Sequence, residues 1–248
     1  MTLLTLENLL VMRGPVRIVD GASLKIGAGE VVGLIGPNGA GKTTLMRAAL
    51  GLLPSEGHAS IAALAPAARA LAAAWLPQGR EIAWPVDVET LVALGRMPWR
   101  PRGSALSEAD KAAVDRALGT MGLEAFRHRP ATELSGGEQA RALIARALAQ
   151  EAPLLLADEP IAGLDPAYQL GTMRAFGDIA RAGKGVFVSL HDLPLAARAC
   201  TRLVLLEQGR IAADGPPADV LTPDNVARVF GVAGTFRDGA FQVTELCP

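Results

Sequence analysis

Residues 31–43 read VVGLIGPNGAGKT, and this stretch decides the fold. Val31-Val32-Gly33-Leu34-Ile35 is a short continuous apolar run, as expected of a strand buried on both faces of a parallel sheet. Gly36-Pro37-Asn38-Gly39-Ala40-Gly41-Lys42-Thr43 follows it and fits G-x-x-x-x-G-K-[ST]. Residues 43–50 then read as a helix. Strand, glycine-rich loop and helix are together the context in which this pattern cradles phosphate. The glycines let backbone N–H groups wrap phosphate oxygens, and the helix N-terminus adds partial positive charge. Lys42 is placed to reach the β- and γ-phosphates, and the Thr43 hydroxyl to ligate Mg²⁺. A glycine-rich turn with an exposed lysine explains the string but not its setting.

Working outward, residues 3–12 and 16–26 read as two β segments, bounded by turn signals at Arg13-Gly14-Pro15 and Gly27-Ala28-Gly29. Further buried runs lie at 154–157, 185–190 and 202–206. The second follows a helical stretch at 166–181, and the third precedes a hairpin-like turn, Glu207-Gln208-Gly209-Arg210. Residues 61–76 read as a short strand and an Ala-rich helix. Strands alternating with helices imply a parallel sheet covered on both faces. From 85 to 150 the strand signals vanish. Ser107-Glu108-Ala109-Asp110 opens a helix with a cap residue and early acids, and Ala142, Ile144 and Ala145 lie in another. The expected class is α/β: a P-loop nucleotidase core with a mainly parallel sheet, an N-terminal antiparallel β segment and an inserted helical subdomain. We expect one domain, 1–248, with 1–84 and 151–248 as core and 85–150 as the helical subdomain.

Composition narrows the function. The 248 residues are 50% hydrophobic and 20% charged, which excludes a disordered chain. A net charge of −1 argues against a protein that coats nucleic acid, and no nucleic-acid partner is expected. Two cysteines, Cys200 and Cys247, are too few for a disulfide scaffold and suit a reducing cytosol. The first residues lack the basic region and cleavage site of a signal peptide. No run approaches the ~20 apolar residues that cross a bilayer. The expectation is a soluble chain that meets a membrane only through a partner. The three asparagines, Asn8, Asn38 and Asn225, begin no Asn-Lys-x-Asp guanine reader, which argues against a GTPase.

Residues 154–160, LLLADEP, place Asp158 and Glu159 at the C-terminal end of a buried strand, the edge where open α/β sheets bind ligands. Asp158 is placed to hold Mg²⁺, and Glu159 to polarise a water as general base. His191 follows the 185–190 strand and ends at the same edge, within reach of a γ-phosphate. A strand ending in two solvated acids, or a solvated lone histidine, is the plainer reading of each taken alone.

Leu134-Ser135-Gly136-Gly137-Glu138-Gln139 resembles the signature of the ATP-binding-cassette ATPases and begins 19 residues ahead of Pro153. Gln78 in Leu76-Pro77-Gln78 resembles the family's glutamine loop, Leu164-Asp165 its D-loop and His191 its switch histidine. The resemblance implies two cassettes packed head to tail around two ATP molecules. Gly36, Pro37, Asn38, Gly39, Ala40, Gly41, Lys42, Thr43, Thr44, Gln78 and Asp158 then serve one nucleotide, with Thr43, Gln78 and Asp158 at the Mg²⁺. Ser135, Gly136 and Gly137 of the second copy close over its γ-phosphate, and Asp165 belongs to the same nucleotide site. Glu159 is then the base, assisted by His191, Lys42 and Gln78. Residues 88–98, 145–150, 191–198 and 229–232 resemble the branch serving iron-siderophore, haem and cobalamin importers. That implies an energy-coupling ATPase at the cytoplasmic face of the cell membrane. Its partners would be transmembrane permease subunits and, indirectly, a periplasmic or surface binding protein.

This sequence departs from the family in two places. The position where the family stacks an aromatic ring on adenine falls on Arg13, and no Phe, Tyr or Trp precedes Trp75. Ile161 stands where Thr or Ser is commoner. Other assignments compete with the importer: a cassette of another importer branch or an exporter, a non-transport cassette acting on DNA or ribosomes, or a nucleotide-binding regulator. The 93 residues from Lys42 to Ser135 leave no room for a coiled coil, the chain has a single signature, and Glu159 and His191 are both present. Trp84 and Trp99 suit either a docking surface or packing, and Trp75 suits packing. Arg96, Arg100 and Arg102 read as a solvated loop, with a partner or lipid headgroups as the alternative.

Overall fold

The structure, a computed structural model, describes residues 1–79, 81–101, 103–237 and 239–247. In chain order its elements are β1 (Thr2–Arg13), β2 (Val16–Gly27), β3 (Val31–Ile35), α1 (Lys42–Ala49), β4 (Glu56–Ala59), α2 (Pro66–Ala72) and β5 (Ala73–Leu76). Then come α3 (Val88–Ala93), a 3-10 segment Leu94–Trp99, α4 (Glu108–Thr120), α5 (Gly136–Ala149), β6 (Leu154–Asp158) and α6 (Pro166–Arg181). The chain continues with β7 (Gly185–Ser189), α7 (Leu193–Ala199), β8 (Arg202–Glu207), β9 (Arg210–Gly215), α8 (Pro217–Val220), α9 (Pro223–Phe230), β10 (Val232–Arg237) and β11 (Ala240–Leu246).

A six-stranded sheet runs β5-β6-β7-β3-β8-β9, parallel except for β9. β3, β6 and β7 are buried along their whole length, which is why they read as unbroken apolar runs. β1, β2 and β4 form a separate antiparallel sheet. One apolar cluster joins this sheet to α1 and to one face of the large sheet. The other cluster joins the opposite face to α3, α4, α5 and α6, so the helical stretch shares a core with the sheet. The fold is the mixed α/β class that the sequence implies.

Several elements differ from expectation. Residues 60–64 form turns before α2, and the strand of that stretch is β5, after the helix. β4 and the β10–β11 hairpin have no counterpart in the sequence reading. β4 exposes three of its four residues, and β11 buries only Phe241, so neither shows the alternation that marks a strand. Arg96 corrects the solvated-loop reading. It is buried, donating from Nε to Asp110 Oδ1 at 2.9 Å and from Nη1 to Ala149 O at 2.8 Å, because the loop folds onto the ends of α4 and α5. Arg100 is half-buried against Ser104 O, and Arg102 lies outside the described residues. Trp75 packs on the first cluster, while Trp84 and Trp99 are exposed. Cys200 is buried, and desolvation pushes its thiol up to about 12. No helix among the described residues is long and apolar enough to cross a membrane.

Candidate active site

The phosphate-binding loop is shaped by close backbone packing. Gly41 has φ +102°, and a Cβ there would stand 2.6 Å from Ile18 O, so only glycine fits. The β8–β9 turn braces the loop from outside: Gly209 N donates to Ala40 O at 3.0 Å, and Asp20 N to Gly209 O at 2.9 Å. Lys42, at the start of α1, is buried and donates from Nζ to Gly36 O at 2.8 Å and Pro37 O at 3.1 Å. Burial pushes its ammonium below the usual lysine range, while the Glu159 and Asp158 carboxylates pull it back up. A cavity of about 390 Å³ opens here, walled by residues 38–44, Arg13, Ile18, Gln78 and Glu159.

The second half of the site sits where β6 and β7 end side by side, with Asp158 paired to Ser189. Ser189 Oγ donates to Asp158 Oδ1 at 2.6 Å and accepts from Glu159 N at 2.8 Å. Glu159 takes a left-handed backbone, φ +48°, a strained conformation for a non-glycine residue and one often found at functional sites. Its carboxylate is held at both oxygens: Gln78 Nε2 donates to Oε2 at 2.9 Å, and His191 Nε2 lies 2.5 Å from Oε1. Asp158 Oδ2 is buried with no hydrogen-bond partner among the described residues. An unpaired buried carboxylate oxygen is costly, and it fits a hard divalent cation that takes oxygen ligands.

One cavity thus gathers Arg13, Asn38, Gly39, Ala40, Gly41, Lys42, Thr43, Thr44, Gln78 and Glu159, with Gly36 and Pro37 against Lys42 and with Asp158 and His191 at its edge. Ser135, Gly136, Gly137 and Asp165 do not line it. Ser135 caps α5, accepting from Glu138 N while Glu138 Oε2 accepts from Ser135 N at 2.8 Å. Asp165 stands at the N-cap of α6 with no side-chain cap bond. Sequence reasoning missed Ser189 and Gly209. The available signals were a hydroxyl closing a buried apolar run just ahead of His191, and a turn glycine between two strands.

The fold and this site define a P-loop nucleotidase with a carboxylate pair at the sheet edge. Residues 19–162 match the family described as ABC transporter, and the chain belongs to that family. Over 241 residues it is 43% identical to "Hemin import ATP-binding protein HmuV" of Bordetella avium, covering 91% of each chain. It is 42% identical to "Cobalamin import ATP-binding protein BtuD" of Halobacterium salinarum, covering 93% of this chain. The chain spans 60% of the length of that cobalamin relative. Its fold superimposes with TM-score 0.83 on an inward-facing putative metal-chelate type ABC transporter, at 24% identity and covering 98% of this chain and 96% of that one. It also superimposes, with TM-score 0.75 and 26% identity, on a dimeric ATP-binding cassette in a post-hydrolysis state bound to ADP and Pi, covering 86% and 98%.

Proposed function

We propose that the chain hydrolyses ATP as the energy-coupling subunit of an importer for a haem, iron-siderophore or cobalamin type cargo. The observation that carries this reading is Glu159, strained and held at both carboxylate oxygens, facing the phosphate-binding cavity. A carboxylate so fixed can take the proton of an attacking water, and His191 orients the pair. Lys42 and the loop N–H groups bind the triphosphate, and Arg13 lies at the cavity wall where the base would rest. Mg²⁺ would be held by Thr43, Asp158 and Gln78, where it supplies charge neutralisation on the phosphates. Ser135, Gly136, Gly137 and Asp165 stand away from the cavity of their own chain. That is consistent with a second copy supplying the same segments, and the similarity to a dimeric cassette supports the arrangement.

The cargo class is supported by the names of the relatives, which are hemin and cobalamin import proteins. In this reading the chain works at the cytoplasmic face of the cell membrane, docked to transmembrane permease subunits that receive cargo from a binding protein. Met97 and Trp99 are exposed on the short 3-10 segment, and Trp99 Nε1 donates to Gln150 O at 2.6 Å, at the end of α5. They give a permease a hold on the helix that carries the signature. The test is uptake of radiolabelled haem, cobalamin and ferric siderophore into vesicles carrying the chain with its membrane subunits. ATP-dependent uptake of one of them, lost in Glu159→Gln, supports the reading. ATP turnover with uptake of none contradicts the cargo assignment.

A further inference from the structure

Arg141 lies on α5, beyond Ser135, and is 5% exposed. Its Nη1 donates to Met121 O at 2.9 Å and to Gly122 O at 3.3 Å, at the end of α4. Its guanidinium carbon stands 4.2 Å from the ring centre of Tyr168, in the first turn of α6. One buried cation therefore touches three elements: the end of α4, the signature helix, and the helix that Asp165 opens. Arg141 Nε has no hydrogen-bond partner among the described residues, and no carboxylate forms an ion pair with this guanidinium there. The aromatic face is the contact that compensates the buried charge on that side, and guanidinium stacks on such a face where an ammonium does so less well.

The two segments also approach each other directly. A Cβ built on Gly137 would stand 3.9 Å from Leu164 Cδ2, and Gln169 Nε2 holds Leu164 O at 3.0 Å. Arg141 bears on the cap of α5 as well. The Glu138 carboxyl is held below its usual range first by the hydrogen bond from Ser135 N, then by that from Ser135 Oγ, with Arg129 and Arg141 adding their charge. The start of α5 and the start of α6 are thus linked by the Arg141–Tyr168 stack as well as by the Gly137–Leu164 approach.

We propose that Arg141 and Tyr168 are a positioning pair that fixes the Ser135–Gly137 end of α5 relative to the Asp165 turn. The consequence for turnover rests on the two-copy reading above, in which both segments meet the nucleotide held by the other chain. Loss of the pair then slows the chemical cycle and leaves nucleotide binding to the phosphate loop of the same chain intact.

The test compares wild type, Tyr168→Ala and Tyr168→Phe; Tyr168 is part-exposed, so both variants are expected to fold. Three measurements are made: steady-state kinetics with MgATP for kcat and KM, affinity of the nucleotide-free single chain for a fluorescent ATP analogue, and amide hydrogen exchange at residues 136–140. We expect Tyr168→Ala to lower kcat about 3- to 10-fold, the range of a cation–π contact of about 0.7–1.4 kcal/mol, with affinity unchanged and exchange at 136–140 faster. Tyr168→Phe keeps the ring and should match wild type in all three. Unchanged exchange in Tyr168→Ala, or a Tyr168→Phe variant as impaired as Tyr168→Ala, overturns the pair. The exchange readout does not depend on turnover. A wild-type chain without ATPase activity would therefore sink the functional reading, while the pair would still be decided by exchange.

Discussion

His191 Nε2 stands 2.5 Å from Glu159 Oε1, so a side chain just past β7 grips one just past β6. The two strands run parallel and in register, which brings their C-terminal ends to the same edge. The grip gives Glu159 an orientation that its short loop alone would not impose, and Gln78 holds the other oxygen from the end of β5.

Glu159→Gln tests the base. The amide keeps the shape and cannot accept the proton, so turnover should fall roughly 10²–10⁴-fold with ATP affinity retained. Steady-state phosphate release alongside equilibrium nucleotide binding checks it. Turnover at the wild-type rate would remove Glu159 from its role.

Ser189→Ala tests the brace beneath the carboxylate pair. It leaves Asp158 Oδ1 without its donor and Glu159 N without its acceptor. Leaving such buried groups unpaired costs about 1–3 kcal/mol, which for a domain of this size is a Tm lower by about 2–12 °C. kcat should fall as well, because the strained turn at Glu159 loses its anchor. Calorimetry and turnover on one preparation check both, and an unchanged Tm would count against the brace.

The α/β class and the meeting of the phosphate loop, Asp158, Glu159 and His191 at one sheet edge were legible in the sequence, because each couples a chemical residue type to a boundary of an apolar run, whereas the signature was legible only through its resemblance to a family. β3, β6 and β7 advertise themselves by being buried on both faces. What could not be read is set by long-range packing. Arg96 looked like one of three loop arginines, and only the fold shows the carbonyl of Ala149 and the carboxylate of Asp110 converging on it. Likewise nothing in the local sequence marks Gly209 as the brace of a loop at residue 40. β4 and the β10–β11 hairpin were hidden because their side chains are mostly exposed.

The Arg96–Asp110 pair gives a pH dependence. Hydrogen bonds from Ser107 and then from Arg96 hold the Asp110 carboxyl down at about 2. A depressed acid stabilises the fold fully above its unfolded value near ~3.9, and the contribution drains away as pH falls towards about 2. Asp110→Asn should therefore flatten the loss of Tm between about pH 4 and pH 2, relative to wild type. A parallel pair of Tm-against-pH curves would contradict the assignment.

Arg13 addresses base recognition. Its guanidinium is planar and stands at the cavity wall without a hydrogen-bond partner among the described residues. If it stacks on adenine, Arg13→Ala should weaken ATP binding about 2- to 30-fold, from a cation–π contact of about 0.5–2 kcal/mol. Arg13→Tyr should bind at least as well as wild type. The check is the affinity ratio of ATP to a triphosphate lacking the purine, and equal ratios in wild type and Arg13→Ala would mean that Arg13 does not touch the base.

The central claim is that two copies build each site together, and a mixed dimer tests it most directly. Ser135→Arg spoils the signature, and Lys42→Ala spoils the phosphate loop, so neither homodimer keeps an intact site. When the two variants are mixed, one composite site of the mixed dimer carries both lesions and the other carries neither. The account expects partial ATPase activity to return on mixing, from two preparations that are each inactive. No recovered activity, with mixed dimers shown to form by mass measurement, would contradict it.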